Sequence, residues 1–227
     1  WRHEAEWPLA RTRYTDYYLA PEGDGSGSLS TQAPNEPWSV TYTYDPDDPT
    51  PTLGGNHSSP DIMGVLRVGS VDQRPNEDRG DVLVYSTPPL REDTEVTGPV
   101  VVRLYAASTA RDTDFIARLI DVYPDGTAYN LTEGLVRARF RASIWEEPSL
   151  IEPGQVYEYV IEMQPTSNVF LRGHRIRLHI TSSNFPLIDR NTNVGGDIGF
   201  EDHVVVAEQT VWHGGACASR IVLPVIP

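Results

Sequence analysis

The residues able to do chemistry concentrate in "NVFLRGHRIRLHITSSNFPLIDRN", residues 168–191, which holds His174, His179, the pair Ser182-Ser183 and, past a Pro break, Asp189 and Arg190. A nucleophilic Ser needs a positioned base and, in an α/β-hydrolase, a G-x-S-x-G turn between strand and helix. No Ser in this chain has Gly both two residues before and two after. The nearest, Ser26 in "GDGSG", sits in a Gly-rich stretch with no strand or helix to build the turn. Ser182 and Ser183 follow the strand-like "RIRLHI" and precede Pro186. Their hydroxyls are expected to bond the backbone where that strand ends.

Metal chemistry fares no better. On a strand, His174 shares a face with Ile176, Leu178 and Ile180, whereas His179 shares the other with Arg175 and Arg177, so the two imidazoles point apart. There is no H-E-x-x-H and no C-x-x-C. "ARDTDF" and "DRNTNVGGD" offer Asp112, Asp114, Asp189, Asn191, Asn193 and Asp197, an oxygen set that suits Ca²⁺. The same residues are common in turns, and without an EF-hand pattern the turn reading is the expectation. Cys217 in "GGACASR" has no adjacent base. The expectation is therefore no catalytic residue, no metal and no cofactor.

The elements that must position these residues read as strands. Pro and Gly cut the chain into short segments, most of them alternating with period two. In "RLIDVYPDGTAYNL" the Pro124-Asp125-Gly126 turn predicts a hairpin. "VYEYVIEM" sets Tyr157, Tyr159, Ile161 and Met163 against Glu158, Val160 and Glu162. "LVRARFRAS" sets Val136, Ala138, Phe140 and Ala142 against Arg137, Arg139 and Arg141, whose face is expected to be solvated, partly paired with carboxylates and worth about 1 kcal/mol in total. "DVLVYS", "PVVVRLYAAS", "DFIARLI", "HVVVAEQTVW" and "RIVLPVIP" complete the strand candidates. No long amphipathic helical period occurs, so the expected fold is an all-β, antiparallel jelly-roll β-sandwich.

Residues 1–75 differ, being rich in Gly, Pro, Ser and Asp around two short strands, "RYTDYYL" and "WSVTYTY". They read as a segment wrapped on a jelly-roll domain spanning 76–227. Their interleaved Trp1, Trp7, Tyr14, Tyr17, Tyr18, Trp38, Tyr42 and Tyr44 predict docking rather than disorder. The chain opens at Trp1 rather than Met, and the expectation is a piece of a longer protein.

Composition narrows the partners. The net charge is −14, and all 18 basic residues are Arg. Such a surface argues against nucleic acid. No run approaches ~18 apolar residues, so no membrane span is expected. One Cys rules out an internal disulfide and leaves the compartment open, with a cytoplasmic setting favoured over a secreted one.

"DVLVYSTPPLREDTEVTGPVVVRLYAASTARDTDFIARLIDVYPDGTAYNLTEG", followed by "RARFRAS", "LIEPGQVYEYVIEMQPTSNVF", "GHRIRLHITSSNFPLIDRN" and "SRIVLPVIP", resembles the C-terminal domain of X-Pro dipeptidyl-peptidases and the related cocaine esterase-like (CocE/NonD) serine hydrolases. Upstream, "EWPL…YYL" and "DPDDPTPTLGGN" resemble the connection to the catalytic domain more loosely. The resemblance implies a galactose-binding-domain-like jelly roll that supports a separate α/β-hydrolase domain, which carries the Ser-Asp-His triad. It implies that domain as partner and leaves homo-oligomerisation open. The expected contact residues are Trp1, Trp7, Tyr17, Tyr18, Asn184, Phe185 and Arg190. A free-standing carbohydrate or ligand-binding module, with or without Ca²⁺, is the alternative.

Overall fold

The computed structural model describes residues 2–22, 27–57 and 67–227; Trp1 and Ser26 lie outside the described residues. Among the described residues eleven strands follow in order: β1 (Arg13–Pro21), β2 (Gly27–Ser30), β3 (Trp38–Tyr44), β4 (Leu83–Ser86), β5 (Thr94–Ser108), β6 (Asp114–Val122), β7 (Ala128–Arg137), β8 (Tyr157–Phe170), β9 (Arg175–Thr181), β10 (Ala207–His213) and β11 (Arg220–Ile226). Each strand candidate in the sequence contributes to one of these, except that the arginine-rich segment leaves the strand at Arg137 and residues 203–206 of "HVVVAEQTVW" precede β10. No helix among the described residues is long and apolar enough to cross a membrane.

Two layers form a jelly-roll sandwich. Strand β5 is the spine of the first, with β8 along one edge and β11, then β10, along the other. Strands β1 and β3 extend that layer by pairing with β11 and β10. The second layer runs β4–β9–β6–β7. Strand β2 joins the layers, antiparallel to β1 and parallel to β4. On the opposite side β7 meets β8, where Thr132 Oγ1 donates to the Gln164 carbonyl at 2.7 Å. The approach requires Gly134, because a Cβ there would stand 2.4 Å from the Glu162 carbonyl oxygen.

The period-two pattern explains the core. Tyr159, Ile161 and Met163 of β8 and Phe115, Ala117 and Leu119 of β6 point between the layers, as do Val100, Val102 and Leu104 of β5. Glu158 and Glu162 of β8 stay exposed. The predicted turn closes β6 onto β7, with Gly126 at φ 89° and Thr127 N–H donating to Asp125 Oδ1.

Residues 1–75 divide in two. The expected surface wrap does not hold for β1–β3, whose Leu19, Leu29, Tyr42 and Tyr44 are core residues, because a layer with β11 and β10 as its edges would leave their apolar faces open. Residues 45–57 and 67–82 lie instead over the outer face of the second layer, where Gln73, Asn76 and Glu77 are held. Strand β6 is consequently buried on both faces. Its outward-pointing Arg118 is 2% exposed. The guanidinium donates to Glu133 Oε2 at 3.0 Å, to Gln73 Oε1 at 3.1 Å and to Asn184 Oδ1 at 2.9 Å. Gln73, itself fully buried, donates in turn to the Leu53 carbonyl. Beside it, Glu77 bridges Arg177 at 2.7 Å and His179 at 3.1 Å, and burial holds the His179 pKa below its ordinary value.

Removing one partner from a buried ion pair strands a charge, so Arg118→Ala is expected to cost about 3–5 kcal/mol in urea unfolding. A loss below about 1 kcal/mol would show the network to be dispensable. His213 of β10 is fully buried against Tyr85, and burial depresses its pKa to about 4. The unfolded chain therefore takes up this proton first, and stability falls as pH drops from about 6.5 toward 4. Between pH 7 and 4.5 the wild type should lose on the order of 2–3 kcal/mol more than a folded His213→Gln variant.

Candidate domain interface

The first turn of β6 and the end of β7 meet the loop after β9 at one end of the sandwich. There the structure brings together Asp112, Asp114 and Asn191, three of the oxygen ligands singled out by type. Asp112 and Asp114 are buried, and Asn191 Nδ2 donates to both, at 3.0 and 2.8 Å. The cations facing them are guanidinium groups. Arg139 Nε donates to Asp112 at 2.7 Å, and Arg137 makes a forked contact with Asp114 at 2.9 and 3.0 Å. Carboxylates paired this way already have matched donors in place of an ion. Asp114 holds the Arg137 pKa above its ordinary value despite partial burial.

This arrangement corrects the solvated arginine face. The strand ends at Arg137, and Ala138–Phe140 form a single helical turn, so the three arginines leave the common strand face. Arg139 is buried, and Arg137 is mostly so. Arg141 lies over the Tyr157 ring at 4.5 Å. Ser182 and Ser183 are buried as well, bonded to the Tyr42 hydroxyl and the Thr50 N–H at 2.8 Å. One partner is thus a side chain, where backbone bonding was expected for both.

Around this end runs an apolar strip. A groove of about 850 Å³ is walled by Leu135, Phe140, Ile144, Trp145, Val160 and Ile188. It shares Arg137 and Asp189 with an adjoining hollow of about 260 Å³ beside Phe185, Arg190 and Ile198. Trp145 is 89% exposed, Phe200 86% and Ile144 71%. So much uncovered apolar surface is unusual for a face that meets only water.

The residues expected at a domain contact fall in several places. Phe185 is exposed, and Arg190 ties its loop to residues 46–47 through the Pro46 carbonyl and Asp47. Asn184, between them and the end of β9, is fully buried and bonded to Arg118 and Glu133, so it is interior structure rather than contact surface. Trp7 is exposed ahead of β1. On β1, Tyr17 packs against the core and Tyr18 is half-buried, its hydroxyl donating to Asp16. Trp145 and Phe200 were not singled out in the sequence. Their signal is an apolar side chain beside acidic residues, in "SIWEEP" and "IGFED", where no strand alternation would bury it.

Arg139→Gln and Arg137→Gln should each destabilise the chain by about 3 kcal/mol, since each leaves a buried carboxylate unpaired. Arg141→Gln should cost under about 1 kcal/mol. Urea unfolding of the three single variants checks the order, and a triple variant losing no more than about 1 kcal/mol would restore the solvated face.

With this geometry in view, similarity to known proteins is informative. Residues 1–222 match the model of the X-Pro dipeptidyl-peptidase C-terminal non-catalytic domain. The chain is 47% identical over 236 aligned residues to the cocaine esterase of Rhodococcus sp. (strain MB1 Bresler), covering all of this chain and 40% of that protein. The crystal structure of an aminopeptidase from a marine sediment Thaumarchaeota archaeon superposes with a TM-score of 0.86 at 30% identity, covering 100% of this chain and 39% of that one. An α-amino acid ester hydrolase gives 0.81 at 28% identity, over 93% of this chain and 36% of its own. The chain thus spans well under half of these relatives. It belongs to the X-Pro dipeptidyl-peptidase C-terminal domain family, the non-catalytic jelly roll of cocaine esterase-like hydrolases.

Proposed function

We propose that this domain packs on the α/β-hydrolase domain of a serine esterase or peptidase and buries the Trp145–Phe200 strip against it. The strip carries the reading: large apolar side chains stand uncovered at one end of a domain whose relatives have more than half of their chain elsewhere. Burying side chains of this size contributes roughly 1.5–3 kcal/mol each. Residues 1–75 carry the chain in from that partner, with β1–β3 completing the sandwich on the way. Of the contact residues expected from the sequence, Phe185 and Arg190 border the strip, and Trp7 marks the entry.

The carbohydrate-module reading draws on the same exposed aromatics, which lie on loops rather than in the lead-in. The amount of uncovered apolar surface favours docking: Ile144, Ile198, Val205 and Val206 are exposed as well as Trp145 and Phe200, and they offer no hydrogen bonds to sugar hydroxyls.

Hydrolysis needs a nucleophile, a base and an oxyanion hole together. The chain alone should therefore neither hydrolyse activated esters nor react with a fluorophosphonate probe. A longer polypeptide from the same reading frame, carrying an upstream G-x-S-x-G, should do both. In that longer protein Trp145→Asp with Phe200→Asp should lower the Tm by several degrees and leave the isolated domain's Tm nearly unchanged. Probe labelling of the chain alone, or equal shifts in both forms, would overturn the proposal.

A further inference from the structure

Strand β6 runs from Asp114, beside the apolar strip, to Val122 at the other end of the sandwich. That far end holds a cavity of about 420 Å³ lined by Ser70, Asp121, Tyr123, Tyr129, Leu131 and Asn168. All but Ser70 come from β6, the turn after it, β7 and β8, so strand pairing fixes the spacing within β6 and β7, and Ser70 Oγ is held on the Asn130 carbonyl.

The lining has an unusual division of labour. Tyr123 is 42% exposed, meets Tyr129 nearly edge-on at 79° with centroids 5.3 Å apart, and is backed by the His174 ring at 4.4 Å. Two tyrosine rings at a right angle form a corner whose electron-rich faces attract a cation. The Asp121 carboxylate is buried beside them, with Oδ1 held by His174 Nδ1 at 2.8 Å, which leaves Oδ2 for a donor. The Asn168 side-chain Nδ2 is buried with no hydrogen-bond partner. A buried amide donor left unmade costs about 1–3 kcal/mol, and Asn168 belongs to the lining of this cavity.

A ligand that satisfies all three groups carries an ammonium for Asp121 and the ring faces, and an oxygen close by for Asn168. A net charge of −14 favours the approach of a cation. We propose that this cavity binds a small α-amino carbonyl compound, such as an amino acid amide or the amino terminus of a peptide. The site is independent of the docking strip, since it lies at the opposite end of β6.

Calorimetry or saturation-transfer NMR on the 227-residue chain tests it with L-phenylalaninamide as probe. Saturable binding is expected at about 1 mM or tighter. N-acetylation, which removes the positive charge, should abolish it. Asp121→Asn and Tyr123→Leu should each weaken binding about tenfold. Asn168→Ala should weaken it about fivefold, with the amide oxygen losing its donor. Because Asp121 also holds His174, its variant counts only if circular dichroism and Tm show it folded; Tyr123→Leu, at an exposed ring, and Asn168→Ala carry the test otherwise. No saturation below about 10 mM, equal binding of the acetylated compound, or galactose binding that depends on the same residues would overturn the proposal.

Discussion

Arg118 is a positive charge placed in the interior of a β-protein, and the second layer is built around neutralising it. The side chain leaves β6 on the outer face, where a sandwich strand ordinarily meets water. Here Glu133 from β7, Gln73 from the covering segment and Asn184 from the loop after β9 converge on the guanidinium. Those three contacts tie a hairpin, the covering segment and the loop after β9 to one point. Without residues 45–57 and 67–82 the charge would be solvated and the outer faces of Ile116 and Ile120 bare. With them, β6 becomes a central strand buried on both sides.

The same device recurs where the loop after β9 returns to the sandwich. Asp112 and Asp114 answer Arg139 and Arg137, and Asn191 closes the set. A buried pair of this kind contributes less to net stability than to the choice of one arrangement over others, because desolvation offsets most of the attraction. The pairs fix the end of the domain that carries Phe185, Trp145 and Phe200. A surface that docks on a partner, as proposed for this end, gains from being rigid before the encounter, since less freedom is lost on binding.

Much of the fold was legible because it rests on local patterns. The alternation in "VYEYVIEM" and the Pro124-Asp125-Gly126 turn depend only on neighbours, and both appear as read. Tertiary context defeated two readings. The arginines at 137, 139 and 141 alternate like a strand, yet the chain turns at Arg137 because acidic partners at 112 and 114 wait there. Asn184 looked like a loop residue free to contact a neighbour, and nothing in its vicinity announces an arginine 66 positions away. Of the site, the convergence of Asp112, Asp114 and Asn191 was visible in residue type, although the cation they face is arginine. The apolar strip was not, because exposure of Ile144, Trp145 and Phe200 depends on where the flanking strands stop.

The central claim is that a rigid, ion-paired end of this jelly roll is the face that covers a catalytic partner. Amide hydrogen exchange compares the isolated chain with the same residues inside the longer polypeptide most directly. The account predicts that amides of residues 141–147 and 195–206 slow by at least about tenfold in the longer protein. The turn around Pro124-Asp125-Gly126, at the other end, should exchange alike in both. Protection concentrated at that turn, with residues 141–147 and 195–206 unchanged, would contradict it.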